Sequence, residues 1–194
     1  IIGASRTDSG VHAYGNIAVF DTNSRIPAEK FAIGLNHYLP DDIRVQKSDE
    51  VESDYHPRYR NTEKMYEYTI LNTKINLPIY SRYSYHVYHP LDFEVMKEAA
   101  ALLVGEHDFS AFCSAGSQVK SKVRTIYEVS LDKQKAMGCN GGEVIRIRVR
   151  GNGFLYNMVR IIAGTLVEVG EARRSLADVK QALSTGERKK AGPT

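Results

Sequence analysis

The 194-residue chain has no tryptophan and only two cysteines. Cys113 and Cys139 stand far apart and in no metal-ligand spacing, which argues against a disulfide framework and fits a reducing compartment. Long apolar runs are missing too. The longest, Ile161 to Val167, is cut by Glu168 and falls well short of the ~20 residues a membrane-crossing helix needs, so no membrane partner is expected. Nor is there an excess of charge of one sign: 26 Lys and Arg against 23 Asp and Glu leave +3, which excludes a polycation that binds any nucleic acid by bulk charge. Neither short repeats nor low-complexity tracts occur, which excludes a solenoid.

What the chain does have is a 42% hydrophobic composition, enough for a substantial core in one large or two small domains. Its 12 tyrosines concentrate between Tyr55 and Tyr88, where they read either as an amphipathic sheet or as platforms for unpaired bases. The stretch Ile145-Arg146-Ile147-Arg148-Val149-Arg150 alternates strictly, placing three arginines on one face of a strand and three aliphatics on the other. Two readings of that face stand open: a solvated face with salt-bridge partners, or a stripe that contacts phosphates. Lys120, Lys122 and Arg124 form a second basic cluster, and Arg173-Arg174 a third.

Helices and strands interleave along the chain. Ile17 to Phe20 alternates as a strand; Pro27 opens a helix near 27–38 with Phe31, Leu35 and Tyr38 at helical spacing. A strand is expected at Ile43 to Gln46, and another at Met65 to Leu71, with Tyr66, Tyr68 and Ile70 on one face. Asp92 caps a helix that Gly105 ends, strands at 123–131 and 143–150 join through Asn140-Gly141-Gly142, and helices follow at about 155–169 and 176–185. The last is capped by Ser175 with Asp178 in the capping-box position and closes near Gly186. This order predicts an α+β fold with helices on one side of a mostly antiparallel sheet.

The segment carrying most chemistry is Arg6-Thr7-Asp8-Ser9-Gly10-Val11-His12-Ala13. A carboxylate held by hydroxyl, amide and guanidinium donors stays ionised and fixed in direction, as a nucleophile or electrostatic stabiliser must be. Taken alone, the same residues also read as an ordinary Asx turn in which Gly10 supplies a positive φ. The segment resembles the R-T-D-x-G-V-H-A signature of the tRNA pseudouridine synthase A (TruA) family, in which the Asp is catalytic. Lys64-Met65-Tyr66-Glu67-Tyr68 is similar to that family's K-x-Y-x-Y strand, whose first Tyr packs on the target base. Gly151-Asn152-Gly153-Phe154-Leu155-Tyr156-Asn157-Met158-Val159-Arg160 resembles its G-x-x-F-L-x-x-M-V-R segment, whose Arg pairs with the Asp. Gly105 to Phe112 resembles its G-x-H-D-F-x-x-F turn. Ser5 departs from the pattern, standing where many members carry Gly.

The resemblance implies an isomerase that converts uridine to pseudouridine in the anticodon arm of tRNA, in the cytoplasm, as a homodimer, without cofactor or metal. It assigns catalytic roles to Asp8, Arg160 and Tyr66 and substrate contacts to Tyr66, Arg6, His12 and Phe154. It also implies two RRM-like or ferredoxin-like halves whose sheets join around a central cleft with helices on the outer face. The first half would be 1–60, partial and carrying the Asp loop; the second would be 61–194, lacking its last strand. An opening at Ile1-Ile2-Gly3 without Met and an end at Ala191 to Thr194 are then expected to mark a fragment.

Simpler roles are open at each residue. Arg160 could cap the helix of Val159, Ile162 and Leu166, Tyr66 could be a core tyrosine, Arg6 could only neutralise Asp8, and His12 reads as a strut of the turn. Two other classes of function share parts of the pattern. A non-catalytic RNA-binding module needs the basic strand and tyrosines but no carboxylate facing an arginine. A metal-dependent hydrolase would draw on His86 and His89, whose three-residue interval matches no HExxH pattern.

Overall fold

A computed structural model of the chain describes every residue except 5, 6, 9, 60–62, 118, 139 and 140. Arg6, Ser5, Cys139 and Asn140 therefore lie outside the described residues. The chain divides into two compact units, Ile1–Thr62 and Glu63–Thr194, and the whole is α+β.

In the first unit, β1 (Ile2–Gly3) pairs antiparallel with β2 (Ala18–Val19), a shorter strand than the alternation around Ile17 to Phe20 predicts. A 3-10 turn at Ala28–Lys30, begun by Pro27, leads into α1 (Phe31–Tyr38). The expected strand at Ile43 to Gln46 does not form. Its backbone groups are taken by side chains instead: Asn36 Nδ2 donates to the Val45 carbonyl at 2.9 Å and Asn36 Oδ1 accepts the Val45 N–H at 2.8 Å. Ser48, two residues beyond the segment, holds the chain to the start of α1, its Oγ accepting from Ala32 N and donating to the Ala28 carbonyl. Once a helix side chain satisfies the Val45 groups, a neighbouring strand has nothing to pair with.

The second unit holds a five-stranded sheet in the order β4-β3-β7-β6-β5, made of β3 (Lys64–Asn72), β4 (Tyr85–Val87), β5 (Gly105–Asp108), β6 (Val123–Lys135) and β7 (Glu143–Gly151). Only β4 runs parallel to its neighbour, β3; the other pairs are antiparallel. The helices are α2 (Phe93–Ala101), α3 (Met158–Gly170) and α4 (Leu176–Thr185). The core joins Ile70, Ile126, Ile145, Ile147 and Val149 of the sheet to Met96, Ala99, Ile161, Ile162 and Leu166 of the helices. Each fully buried Ile or Leu contributes about 1.5–3 kcal/mol, so this layer dominates the unit's stability.

Boundaries move for local reasons. Gly105 does not end α2, which stops at Ala101; its φ of +116° instead opens β5, a strand the sequence reading takes as a turn. The helix expected from about 155 begins at Met158, because Asn157 sits at φ +60° and residues before it turn. The β6–β7 hairpin closes with Gly141 at φ +82° and Gly142 at φ +124°, and β6 extends to Lys135. α4 matches its expected span and carries the capping box of Ser175 and Asp178 with Gly186 at φ +69°. At the far end Gly192 donates to Thr165 Oγ1 at 2.8 Å, so the last residues lie against α3.

The face of the sheet away from the core carries the arginine stripe, and there the salt-bridge reading prevails. Arg148 reaches Glu67 at 2.7 Å and Asp132 at 2.8 Å; Arg146 joins the same two carboxylates at 3.7 and 3.5 Å. Arg150 pairs with Glu63 at 2.7 Å and Glu128 at 3.5 Å. The register explains it, since Arg148 stands opposite Glu67 on β3 and Arg146 opposite Asp132 on β6.

Candidate active site

In the second unit the site grows from the alternation on β3. Tyr66, Tyr68 and Ile70 stand opposite Val149, Ile147 and Ile145, so all six share the face that receives the helices. Ile70 is fully buried, while Tyr66 and Tyr68, nearer the open end of the strand, are only half-buried. Phe154 reaches Tyr66 through the tight loop after β7, their rings meeting edge to face at 5.1 Å and 86°. Such a pair adds about 0.5–1.5 kcal/mol beyond buried area and fixes both ring planes.

Gly151 makes this loop possible. A Cβ there would lie 2.7 Å from the Thr125 carbonyl oxygen, closer than any real side chain can sit. Asn152 then locks the loop to β6, its N–H donating to the Thr125 carbonyl at 3.1 Å and its Oδ1 accepting the Thr125 N–H at 3.0 Å. Asn157 anchors the other end, its Nδ2 donating to Ser114 Oγ at 3.0 Å.

Arg160 is the third residue of α3 and half-buried. A cation in a helix's first turn faces the positive end of the macrodipole, so the helix gains nothing from it, and α3 has no acidic residue in that turn to offset it. The capping role considered for Arg160 therefore does not fit its position. Its charge instead acts on Tyr68. Burial pushes the Tyr68 phenol above its ordinary range, the Arg160 cation draws it part of the way back, and Tyr85 adds to the rise. Tyr68, with Arg160 and Tyr85 near it, thus shares a strand face with Tyr66 and its partner Phe154. The sequence reading placed Tyr68 on the right face without giving it a role, and Tyr85 belongs to a three-residue strand too short to show a period.

In the first unit Asp8 lies in the loop between β1 and β2 and is half-buried. Its carbonyl accepts the Val11 N–H at 3.1 Å, closing a turn in which Gly10 has φ +77°. That bond runs from backbone to backbone, so it makes a β-turn with a positive-φ glycine and is not the side-chain bond of an Asx turn. His12 is exposed in the same loop.

His86 Nε2 lies 2.8 Å from the Thr73 carbonyl and His89 packs on Tyr88, and among the described residues no cluster of three His, Cys, Asp or Glu can hold a metal ion. No helix among the described residues is long and apolar enough to cross a membrane.

These features define an α+β protein with aromatic rings and a helix-borne arginine on the core-side face of a mostly antiparallel sheet. A family model of tRNA pseudouridine synthase matches residues 1–60 and 99–194. The chain is 47% identical over 194 residues to a tRNA pseudouridine synthase A of Acetivibrio thermocellus, covering 100% of this chain and 77% of the relative. Over the same length and coverage it is 46% identical to proteins of that name from Thermoanaerobacter sp. strain X514 and from Brevibacillus brevis. The chain belongs to the tRNA pseudouridine synthase family.

Proposed function

We propose that the protein isomerises uridine to pseudouridine in the anticodon arm of tRNA, with Asp8 as the catalytic carboxylate. The observation that carries this reading is chain-long similarity at 47% identity to a tRNA pseudouridine synthase A. In the reaction the N1 to C1′ bond of uridine breaks, the freed uracil turns, and a C5 to C1′ bond forms. The C5 proton leaves and N1 takes one up, so no electrons enter or leave and no group is imported. The chemistry calls for neither a redox cofactor nor a metal.

The target base has to leave its stack, at a cost of a few kcal/mol. Tyr66, held edge to face by Phe154, supplies a ring for the extruded uracil; stacking on an aromatic offsets about 1–3 kcal/mol per base. A free phenol is a poor general base at neutral pH, and stacking rather than C5 deprotonation is the role assigned to Tyr66 because its ring is held by Phe154. The role the family resemblance gives Arg160 is to aim the catalytic carboxylate through a charge-assisted pair until the base enters. Asp8 then attacks the sugar, attacks the base or removes a sugar proton. Arg6 contacts phosphate and His12 braces the Asp8 turn. The enzyme works in the cytoplasm as a homodimer that grips one tRNA across both subunits.

Tritium release from C5-labelled uridine in tRNA tests the proposal. Asp8→Ala should lower release by more than about 10³-fold while tRNA binding persists. Equal release by both proteins would remove Asp8 from the mechanism, and tRNA binding without release by the unaltered protein would identify a non-catalytic RNA-binding module.

A further inference from the structure

The basic residues of the second unit differ in whether they hold a carboxylate. Arg146, Arg148, Arg150, Arg173, Arg174 and Lys189 each hold a carboxylate within 4.0 Å. Among the described residues Lys120, Lys122 and Arg124 hold none. Arg124 Nη1 donates only to the carbonyls of Ser121 and Val123, at 3.0 and 2.6 Å, which bends the guanidinium back along its own segment. Lys120 is exposed and Lys122 half-buried.

Of these three, Arg124 adjoins the aromatic pair. Arg124 and Ile126 point to the same face of β6, the one on which Ile126 enters the core, and that is also the face of Tyr66. A Cβ on Gly153 would lie 3.8 Å from Arg124 Nε and 4.0 Å from its Cδ, so the arginine stem runs over the loop whose next residue is Phe154. The Asn152–Thr125 hydrogen bonds hold the two segments together. Arg124, the last of three closely spaced cations that hold no carboxylate among the described residues, therefore lies over the loop that carries Phe154.

We propose that the segment Lys120 to Arg124 is a phosphate-holding rim of the substrate site, which grips the RNA backbone next to the target nucleotide while Phe154 and Tyr66 hold the base. The proposal rests on the function assigned above and names which cations carry the backbone contact. The alternating arginines of β7, although more numerous on one face, are not among them, because their charge is already spent on carboxylates.

The test is binding of unmodified tRNA across a series of KCl concentrations, beside tritium release, for the unaltered protein, Lys120→Gln/Lys122→Gln, Arg124→Gln, Arg124→Lys and, as a remote control on α4, Lys180→Gln. Each lost phosphate contact lowers the slope of log K against log salt by about 0.7–0.9. The double variant should lose between one and two such steps and weaken binding about tenfold, with the loss in release appearing mainly in KM. Arg124→Gln should lose one step, Arg124→Lys should restore most of it, and Lys180→Gln should match the unaltered protein. An unchanged slope in the double variant and in Arg124→Gln overturns the rim. Because binding needs no turnover, a protein that binds tRNA without releasing tritium loses the isomerase assignment while its salt slope still decides the rim.

Discussion

Gly151→Ala tests whether the loop that presents Phe154 has the tight geometry described. The added Cβ would lie 2.7 Å from the Thr125 carbonyl oxygen, 3.5 Å from Ile126 Cα and 3.6 Å from Phe154 Cζ. The first contact is with backbone that cannot retreat, since the Thr125 carbonyl accepts the Asn152 N–H and Ile126 is paired opposite Gly151. Restoring normal contact separates β6 and β7 locally by roughly 0.5–1 Å. Overpacking of this kind costs about 1–3 kcal/mol, and at about 2–4 °C per kcal/mol for a chain of this size the melting temperature should fall by roughly 2–12 °C. The same displacement passes to Phe154 three residues on and loosens its contact with Tyr66. Misplacement by about 1 Å can cost 10²-fold in rate, so kcat for tritium release should drop about tenfold with a smaller change in KM. Gly153→Ala is the internal control. Its Cβ meets nothing closer than 3.8 Å, and its stability should stay within about 0.5 kcal/mol of the unaltered protein. Thermal melting and single-turnover release measure both effects, and a Gly151→Ala protein matching the unaltered one in melting temperature and kcat would refute the account of the loop.

Two further predictions follow from the tyrosines. Tyr66→Phe keeps the ring and its edge-to-face partner but deletes the hydroxyl, so a stacking role leaves tritium release within about tenfold, whereas an obligatory proton transfer would cost about 10²–10⁴-fold; a loss in the latter range sinks the stacking assignment. Burial raises the Tyr68 pKa, so the unfolded chain gives up this proton at lower pH than the folded one. Tyr68 therefore contributes stability that is intact below its ordinary pKa of about 10 and is lost as pH rises through the higher folded value. Chemical denaturation between about pH 9 and 11 should show a shallower alkaline decline for Tyr68→Phe than for the unaltered protein; parallel curves would show that the Tyr68 phenol does not sit in the environment described.

The elements legible in the sequence were those whose signals are local. The capping box of Ser175 and Asp178, the Asp92 cap and the 3.6-residue spacing of the α3 aliphatics each act within one or two turns, and all three helices form. What escaped depends on partners distant in the chain. Ile43 to Gln46 has the composition of a strand, but Asn36 takes the backbone groups of Val45. The strands β4 and β5 span three and four residues, too few for alternation to declare itself, and they exist because β3 and β6 offer edges to pair with. Gly105 illustrates the same limit: a glycine after a helix reads as its stop, yet its positive φ here starts a strand four residues beyond the helix's end.

The candidate site shows how far pattern alone reaches. Tyr66 and Phe154 lie 88 residues apart and meet, an encounter that only the β3–β7 register and the Gly151 loop bring about, although each residue stood out within its own motif. Charge was less readable. Strict alternation in Ile145 to Arg150 is what both a phosphate stripe and a salt-bridged face would display, and nothing within those six residues separates the two. The separation comes from β3 and β6, which set Glu67 and Asp132 on either side of Arg148. A paired arginine at a half-exposed site contributes at most about 1 kcal/mol to stability, but it has also lost most of its attraction for an incoming phosphate, because displacing the carboxylate cancels the gain. The shorter and less regular run of Lys120, Lys122 and Arg124 lacks such partners among the described residues, so a phosphate binding there has no carboxylate to displace. Absence of a counter-charge alone does not single out an RNA-binding cation, since Lys180 on α4 also holds no carboxylate among the described residues; what distinguishes Arg124 is that it lies over the loop of Phe154 as well, and that placement is known only once strand register is known.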